Sequence, residues 1–216
     1  MTSNRTPDPA STPVARSFLI LHGWQNHRPD GHWQRALADE LSARGHRVTY
    51  PQLPDPDDPD LDVWLAVLHA FLDADWNSQG PGHERVVVCH SLAVLLWLHA
   101  AARGTARADR VLLVAPPSAD VLAGYEEVAA FAGPDVTAAQ VKAAAGVTRL
   151  VAADDDPYCP GGAAHRYGLP LALDTDVVPG GRHLDLGAGY GSWPSVLDWC
   201  LDPAVRIAGR TAADGR

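Results

Sequence analysis

Val86-Val87-Val88-Cys89-His90-Ser91-Leu92-Ala93 joins a β-branched run to a long apolar segment through a short turn. The valines predict a buried strand, and the nearly all-apolar segment 92–102 predicts a buried helix. A serine between such a strand and helix has the setting of a nucleophile elbow, in which a sharp turn holds the hydroxyl clear of the sheet. The outer positions of this motif are usually glycine; here they are Cys89 and Ala93, which are also small. The alternative is that Ser91 only caps the helix; we favour the nucleophile.

Short apolar runs alternate with helical periods along the rest of the chain. Strands are predicted at 17–21, 47–50, 85–89, 110–115, 147–152 and 173–178. Helices are predicted at 33–44, 61–76, 92–102, 121–132, 138–145, 162–167 and 193–201. This alternation predicts an α/β fold of about six mostly parallel strands with helices on both faces, and chemistry at the carboxyl ends of the strands. We expect one domain, 17–208, with flexible tails at 1–16 and 209–216.

Composition narrows the classes of partner. The 216 residues carry a formal net charge of -9, which disfavours binding to nucleic acid or to an anionic membrane. The three cysteines have no metal-type spacing, and residues 1–16 lack the apolar core of a signal peptide. We therefore expect a cytoplasmic protein with reduced thiols. We also expect a monomer or homodimer that acts on a small-molecule substrate without a metal or cofactor.

A serine nucleophile needs a general base and a group that orients the base. In hydrolases built around a nucleophile elbow, the acid and then the histidine follow the serine along the chain, each after a later strand. Asp154, Asp155 and Asp156 follow the strand 147–152, and His183 follows the strand 173–178. The spacing assigns His183 as the base but leaves the three aspartates open.

The developing oxyanion needs two backbone donors. The N–H of Leu92, directly after the nucleophile, is one expected donor. The other is the N–H of Trp24, in the loop after the first strand, where Gly23 is expected to let the chain turn. His22 either braces this loop or contacts the substrate, and bracing is the favoured interpretation.

Five segments together resemble one known family. They are Leu21-His22-Gly23-Trp24, Pro51-Gln52-Leu53-Pro54, Cys89-His90-Ser91-Leu92-Ala93, Asp155-Asp156-Pro157-Tyr158-Cys159 and His183-Leu184-Asp185-Leu186-Gly187-Ala188-Gly189-Tyr190-Gly191-Ser192-Trp193-Pro194. From about residue 17 to 199 the chain resembles the retinoblastoma-binding-protein-9 and YdeN-like serine hydrolases. The resemblance implies a three-layer α/β-hydrolase fold with little or no cap domain, and hydrolysis of small esters or amides without a metal. It also selects Asp156, directly before the proline, as the acid.

The chain departs from the family beside the expected base. Arg182 stands where the family usually has glycine, and Asp185 where it commonly has asparagine. These two charges suggest a changed substrate preference.

Substrate recognition and reaction type are less sharply predicted. The segment 121–145 is expected to roof the pocket, and four side chains are candidate substrate contacts: His22, His90, Tyr158 and Trp193. Because one fold hosts many reactions, a lyase, isomerase or cyclase and a non-catalytic binding protein are the alternatives to a hydrolase.

Overall fold

The computed structural model contains one sheet of six parallel strands in the order β2-β1-β3-β4-β5-β6. It describes residues 15–74 and 83–210. The strands are β1 (Arg16–Leu21), β2 (Arg47–Thr49), β3 (Glu84–His90), β4 (Ala108–Val114), β5 (Ala145–Ala153) and β6 (Asp174–Val178). All six predicted strands are confirmed, with their ends displaced by at most two residues. Arg16, which we assigned to the tail, begins β1 because the chain is already paired with β3 there.

Within the described residues, six α-helices connect or follow these strands. They are α1 (Trp33–Ala43), α2 (Leu61–Ala74), α3 (Leu92–Ala102), α4 (Ala119–Leu122), α5 (Ala138–Ala144) and α6 (Pro194–Leu201). A 3₁₀ helix spans Glu126–Phe131, and a π-helical turn spans Ala164–Gly168. The end of the predicted helix 61–76 and most of both predicted tails lie outside the described residues.

The predicted single helix 121–132 is wrong. The segment divides into the end of α4 and the 3₁₀ helix, because Gly124 follows α4 and Tyr125 then adopts extended backbone, with φ -126° and ψ 112°. Glycine is a poor helix residue, so the apolar residues on either side do not join into one helix.

The sheet lies between two layers of helices. On one face, α2, α3 and α5 pack over side chains such as Leu19 and Leu21. On the other face, α1 and α6 cover Phe18 and Ile20 of the same strand. Successive strand side chains point to opposite faces, so a strand that is apolar throughout requires cover on both sides. This explains the uninterrupted apolar runs in the sequence.

The strand order reverses at β1, which has β2 on one side and β3 on the other. In an open parallel sheet, such a reversal leaves a crevice at the carboxyl ends of the strands, because the following loops run in opposite directions. The loops after β1, β3, β5 and β6 all reach this edge of the sheet, and they carry the predicted site residues.

Candidate active site

Ser91 lies in a tight turn between β3 and α3. Its backbone has φ 57° and ψ -124°, a conformation that residues other than glycine seldom adopt. The turn is held because the Ser91 N–H donates to the carbonyl of Val114 in β4, at 2.9 Å. The side chain makes no capping hydrogen bond to α3. The geometry therefore disfavours the capping interpretation and leaves the hydroxyl free to face another partner.

That partner is His183, in the loop after β6. Its Nε2 is 2.9 Å from Ser91 Oγ, and its Nδ1 is 3.0 Å from each carboxylate oxygen of Asp156. A carboxylate accepts hydrogen bonds, so Nδ1 carries the proton and Nε2 is left to accept the proton of the serine hydroxyl. The Asp156 side chain is only 1% exposed, and it also accepts the N–H of Tyr158 at 2.9 Å. The structure thus brings together the three residues predicted as nucleophile, base and acid.

The two neighbouring aspartates hold the backbone of the same loop. Asp154 accepts the N–H of Gly180 at 2.8 Å, and Asp155 accepts the N–H of Arg182 at 2.6 Å. Three consecutive carboxylates after β5 therefore all bind the loop after β6, and only the third reaches the imidazole. This geometry agrees with the selection of Asp156 by resemblance.

His90, directly before Ser91, also binds this loop. Its Nε2–H donates to the carbonyl of His183 at 3.1 Å, and the two imidazole centroids are 5.2 Å apart. Burial lowers the pKa of His90 well below its ordinary value, so the ring is neutral. His90 is also among the residues that line the cleft above Ser91.

Gly23 brings the loop after β1 against the nucleophile. A Cβ at this position would lie 2.7 Å from Ser91 Cβ and 3.0 Å from Ser91 Oγ. Glycine is required here for this close approach, not for the turn that we expected, because its φ is not in the left-handed region. Within residues 15–74 and 83–210, the N–H groups of Trp24 and Leu92 have no protein acceptor. The indole of Trp24 anchors the loop by donating to the carbonyl of Asp57 at 3.0 Å.

Two of the candidate substrate contacts lie outside the cleft. His22 is fully buried, donates from Nδ1 to the carbonyl of Gly23 at 2.9 Å and accepts the N–H of Leu53 at Nε2, at 2.8 Å. These contacts favour the bracing interpretation of His22. Trp193 is 5% exposed; it packs edge-on against Trp33 and donates to the carbonyl of Ala208. It faces the α1–α6 layer, so its assignment as a substrate contact is not supported.

A cleft of about 380 Å³ opens above Ser91. Tyr158 forms part of its wall, with its ring centroid 4.5 Å from that of His183. Apolar lining also comes from the segment after β4, where Leu122 and Tyr125 cover the cleft as expected for part of the predicted roof. The remaining lining residues include Gln25, Asn26, His27, Pro29, His32, Pro117, Asp185, Leu186 and Gly187.

The sequence matches the serine hydrolase family over residues 18–201, most of the chain. The chain belongs to the serine hydrolase family. This confirms the predicted class of protein, whereas the retinoblastoma-binding-protein-9 part of the resemblance stays a prediction. No sequence among the curated proteins matches this serine hydrolase.

Solved structures share the fold of this serine hydrolase. The ydeN gene product from Bacillus subtilis superposes with a TM-score of 0.71 at 21% identity, covering 86% of this chain and 97% of that one. A hydrolase described as YdeN-like, from Pectobacterium atrosepticum, gives 0.64 at 18% identity, with 87% and 90% covered. Est1E from Butyrivibrio proteoclasticus gives 0.62 at 14% identity, with 89% and 87% covered. These likenesses confirm the α/β-hydrolase fold.

Several cleft residues of this serine hydrolase were not predicted from the sequence. Pro117 precedes the predicted roof 121–145; within that roof, Leu122 and Tyr125 were not singled out, because the segment is not the single regular helix that we predicted. Asn26 and His27 belong to the loop after β1, and only their position after a strand end could have pointed to them.

Among the helices of the described residues, none combines the length and apolar character needed to cross a bilayer.

Proposed function

We propose that this chain hydrolyses small carboxylic esters or amides through an acyl-enzyme formed on Ser91. The observation that carries the proposal is the continuous hydrogen-bonded series from Asp156 to His183 Nδ1 and from His183 Nε2 to Ser91 Oγ. A serine hydroxyl is a weak nucleophile until a base removes its proton, and the base needs a fixed orientation to do so.

The first half of the reaction is acyl transfer to the enzyme. His183 Nε2 takes the proton of Ser91 as Oγ forms a bond to the carbonyl carbon, and Asp156 stabilises the imidazolium that results. The negative charge moves to the carbonyl oxygen, where the N–H groups of Leu92 and Trp24 are the proposed donors. Collapse of this intermediate breaks the bond to the leaving group, which receives the proton from His183.

The second half returns the enzyme to its starting state. His183 removes a proton from water, the hydroxide attacks the acyl carbon, and the proton returns to Ser91 Oγ as the acid leaves. The proposal needs no cofactor, because the three side chains supply the nucleophile, the base and the orienting charge.

A fluorophosphonate probe tests this function, because it phosphonylates only an activated serine. We expect the native chain to be labelled and to give an initial burst with p-nitrophenyl acetate, and Ser91→Ala to lose both. Ser42→Ala is the matched control, since Ser42 Oγ only donates to the carbonyl of Ala38 within α1. Labelling that persists in Ser91→Ala would contradict the proposal. Labelling without any burst or turnover would favour the non-hydrolytic alternative.

A further inference from the structure

The described residues that line the cleft carry little fixed charge. Among its described lining residues, Asp185 is the only aspartate, glutamate, lysine or arginine. The buried histidines His32 and His90 do not offset it, because burial lowers the pKa of His32 to about 4 and that of His90 well below its ordinary value. Asp185 therefore supplies a carboxylate that these two imidazoles do not neutralise.

The local fold requires a hydrogen-bond acceptor at Asp185 but does not require its negative charge. One oxygen, Oδ1, accepts the N–H of Ala188 at 2.8 Å and closes the turn that follows His183. The amide oxygen of an asparagine makes the same hydrogen bond. Within the part of the chain that the structure describes, no lysine or arginine pairs with the carboxylate. A half-buried carboxylate beside apolar surface loses hydration, and a cation in the cleft would compensate for that loss.

Aromatic rings surround the same space. Trp24 and Tyr125 both line the cleft and pack edge-on against each other with centroids 5.1 Å apart, and Tyr158 lies against His183. The faces of such rings attract ammonium groups, and the attraction grows when water is excluded. A carboxylate together with three aromatic side chains in one cleft is a suitable environment for an organic cation.

The cation is also assigned to one half of the substrate. His183 must deliver its proton to the leaving group, so the leaving group lies on the imidazole side of Ser91. Asp185 follows His183 by two residues in the same loop and lines the same cleft.

We propose that the leaving group carries an ammonium cation, as in an ester of an amino alcohol or an amide of a diamine. This inference rests on the proposed hydrolysis. The bond from the acyl carbon to the leaving oxygen or nitrogen breaks, that atom takes the proton from His183, and the ammonium keeps its charge throughout.

Two esters of the same shape test the inference, namely butyrylcholine and 3,3-dimethylbutyl butyrate. They differ only by a quaternary nitrogen in place of a quaternary carbon. We expect the native chain to favour the choline ester by about tenfold in kcat/KM, and this preference to shrink as ionic strength rises. In Asp185→Asn, which keeps the acceptor for Ala188, the ratio of the two kcat/KM values should fall close to one. Asp39→Asn, which removes an exposed charge from α1, should leave the ratio unchanged.

Each outcome separates this inference from the proposed hydrolysis. Equal kcat/KM values in the native chain, or a preference that survives in Asp185→Asn, would overturn the inference. If neither ester is hydrolysed, choline and 3,3-dimethylbutanol are compared as protectors of Ser91 against the fluorophosphonate, and equal protection would overturn it. Absence of labelling at Ser91 would instead overturn the proposed function.

Discussion

The backbone around both reactive side chains is held in conformations that L-residues seldom adopt. Ser91 has a φ of 57°, and Arg182 and Leu184, on either side of His183, have φ values of 51° and 50°. Each such residue costs about 1–3 kcal/mol and persists only where its surroundings impose it. Here the hydrogen bonds from Ser91 to Val114 and from Arg182 to Asp155 impose it. The strain fixes the directions of Oγ and of the imidazole before any substrate binds.

Replacing the buried acid tests whether orientation of His183 limits the rate. In Asp156→Asn, the side-chain amide can donate to Nδ1 and so favour the wrong imidazole tautomer, with little change in shape. We expect kcat for p-nitrophenyl acetate to fall by about 10³–10⁴-fold, with little change in KM. Asp154→Asn is the control: it retains an oxygen that can accept the N–H of Gly180, so kcat should fall by less than about tenfold. Equal losses in the two variants would contradict the role given to Asp156.

Sequence spacing could not separate Asp154, Asp155 and Asp156, because all three bind the same loop and only its three-dimensional course shows which carboxylate meets the imidazole. The placement of Trp193 failed for a related reason. Its position in the chain is close to His183, but α6 turns the indole toward Trp33, into the layer on the other side. The type and chain order of the site residues were predictable, whereas side-chain direction in the loops was not.

Regular elements could be predicted because their residues repeat a simple pattern. The strands β1, β3 and β4 are apolar on both faces, and α3 is apolar around its whole circumference, as expected between a sheet and further helices. The elements that form the roof over the cleft do not repeat such a pattern. They are the short helix α4 and the 3₁₀ helix, whose ends depend on Gly124 and on packing against the loop after β1.

Arg110 in β4 connects three elements inside the core. Its guanidinium donates to Glu84 at the start of β3 and to the carbonyls of Trp199 and Cys200 in the last turn of α6, and it stacks on the Trp199 ring at 4.9 Å. The side chain is only 2% exposed. Two of these hydrogen bonds fasten α6 to the sheet from within, and the other two join β4 to the start of β3.

Removing this guanidinium should loosen the sheet without altering the site. In Arg110→Met, the Glu84 carboxylate and two buried carbonyls lose donors, and we expect the free energy of unfolding to fall by about 3–5 kcal/mol. Arg103→Met breaks an exposed pair with Asp62 and should cost less than about 1 kcal/mol. Urea denaturation measures both values. A loss of under about 1 kcal/mol in Arg110→Met would show that other contacts hold α6.

Acid should destabilise the folded chain through its buried neutral histidines. Burial lowers the pKa of both His22 and His32 from 6.5 to about 4. Between these two pH values, the two histidines are protonated in the unfolded chain but neutral in the folded chain. The free energy of unfolding is therefore highest above about pH 6.5 and falls as the pH approaches 4. The expected loss is about 3 kcal/mol for each histidine.

His32 permits a clean test, because its Nδ1 also caps α1 by accepting the N–H of Gln34 at 3.2 Å. Asparagine is among the best N-caps, so His32→Asn keeps a cap while removing the titrating group. Between pH 7 and pH 4.5, the native free energy of unfolding should fall by about 2 kcal/mol more than that of His32→Asn. Replacement of the exposed His165 by Asn should leave the fall unchanged. If His32→Asn loses as much stability over this interval as the native chain, His32 does not titrate there, and the acid sensitivity must arise from other groups.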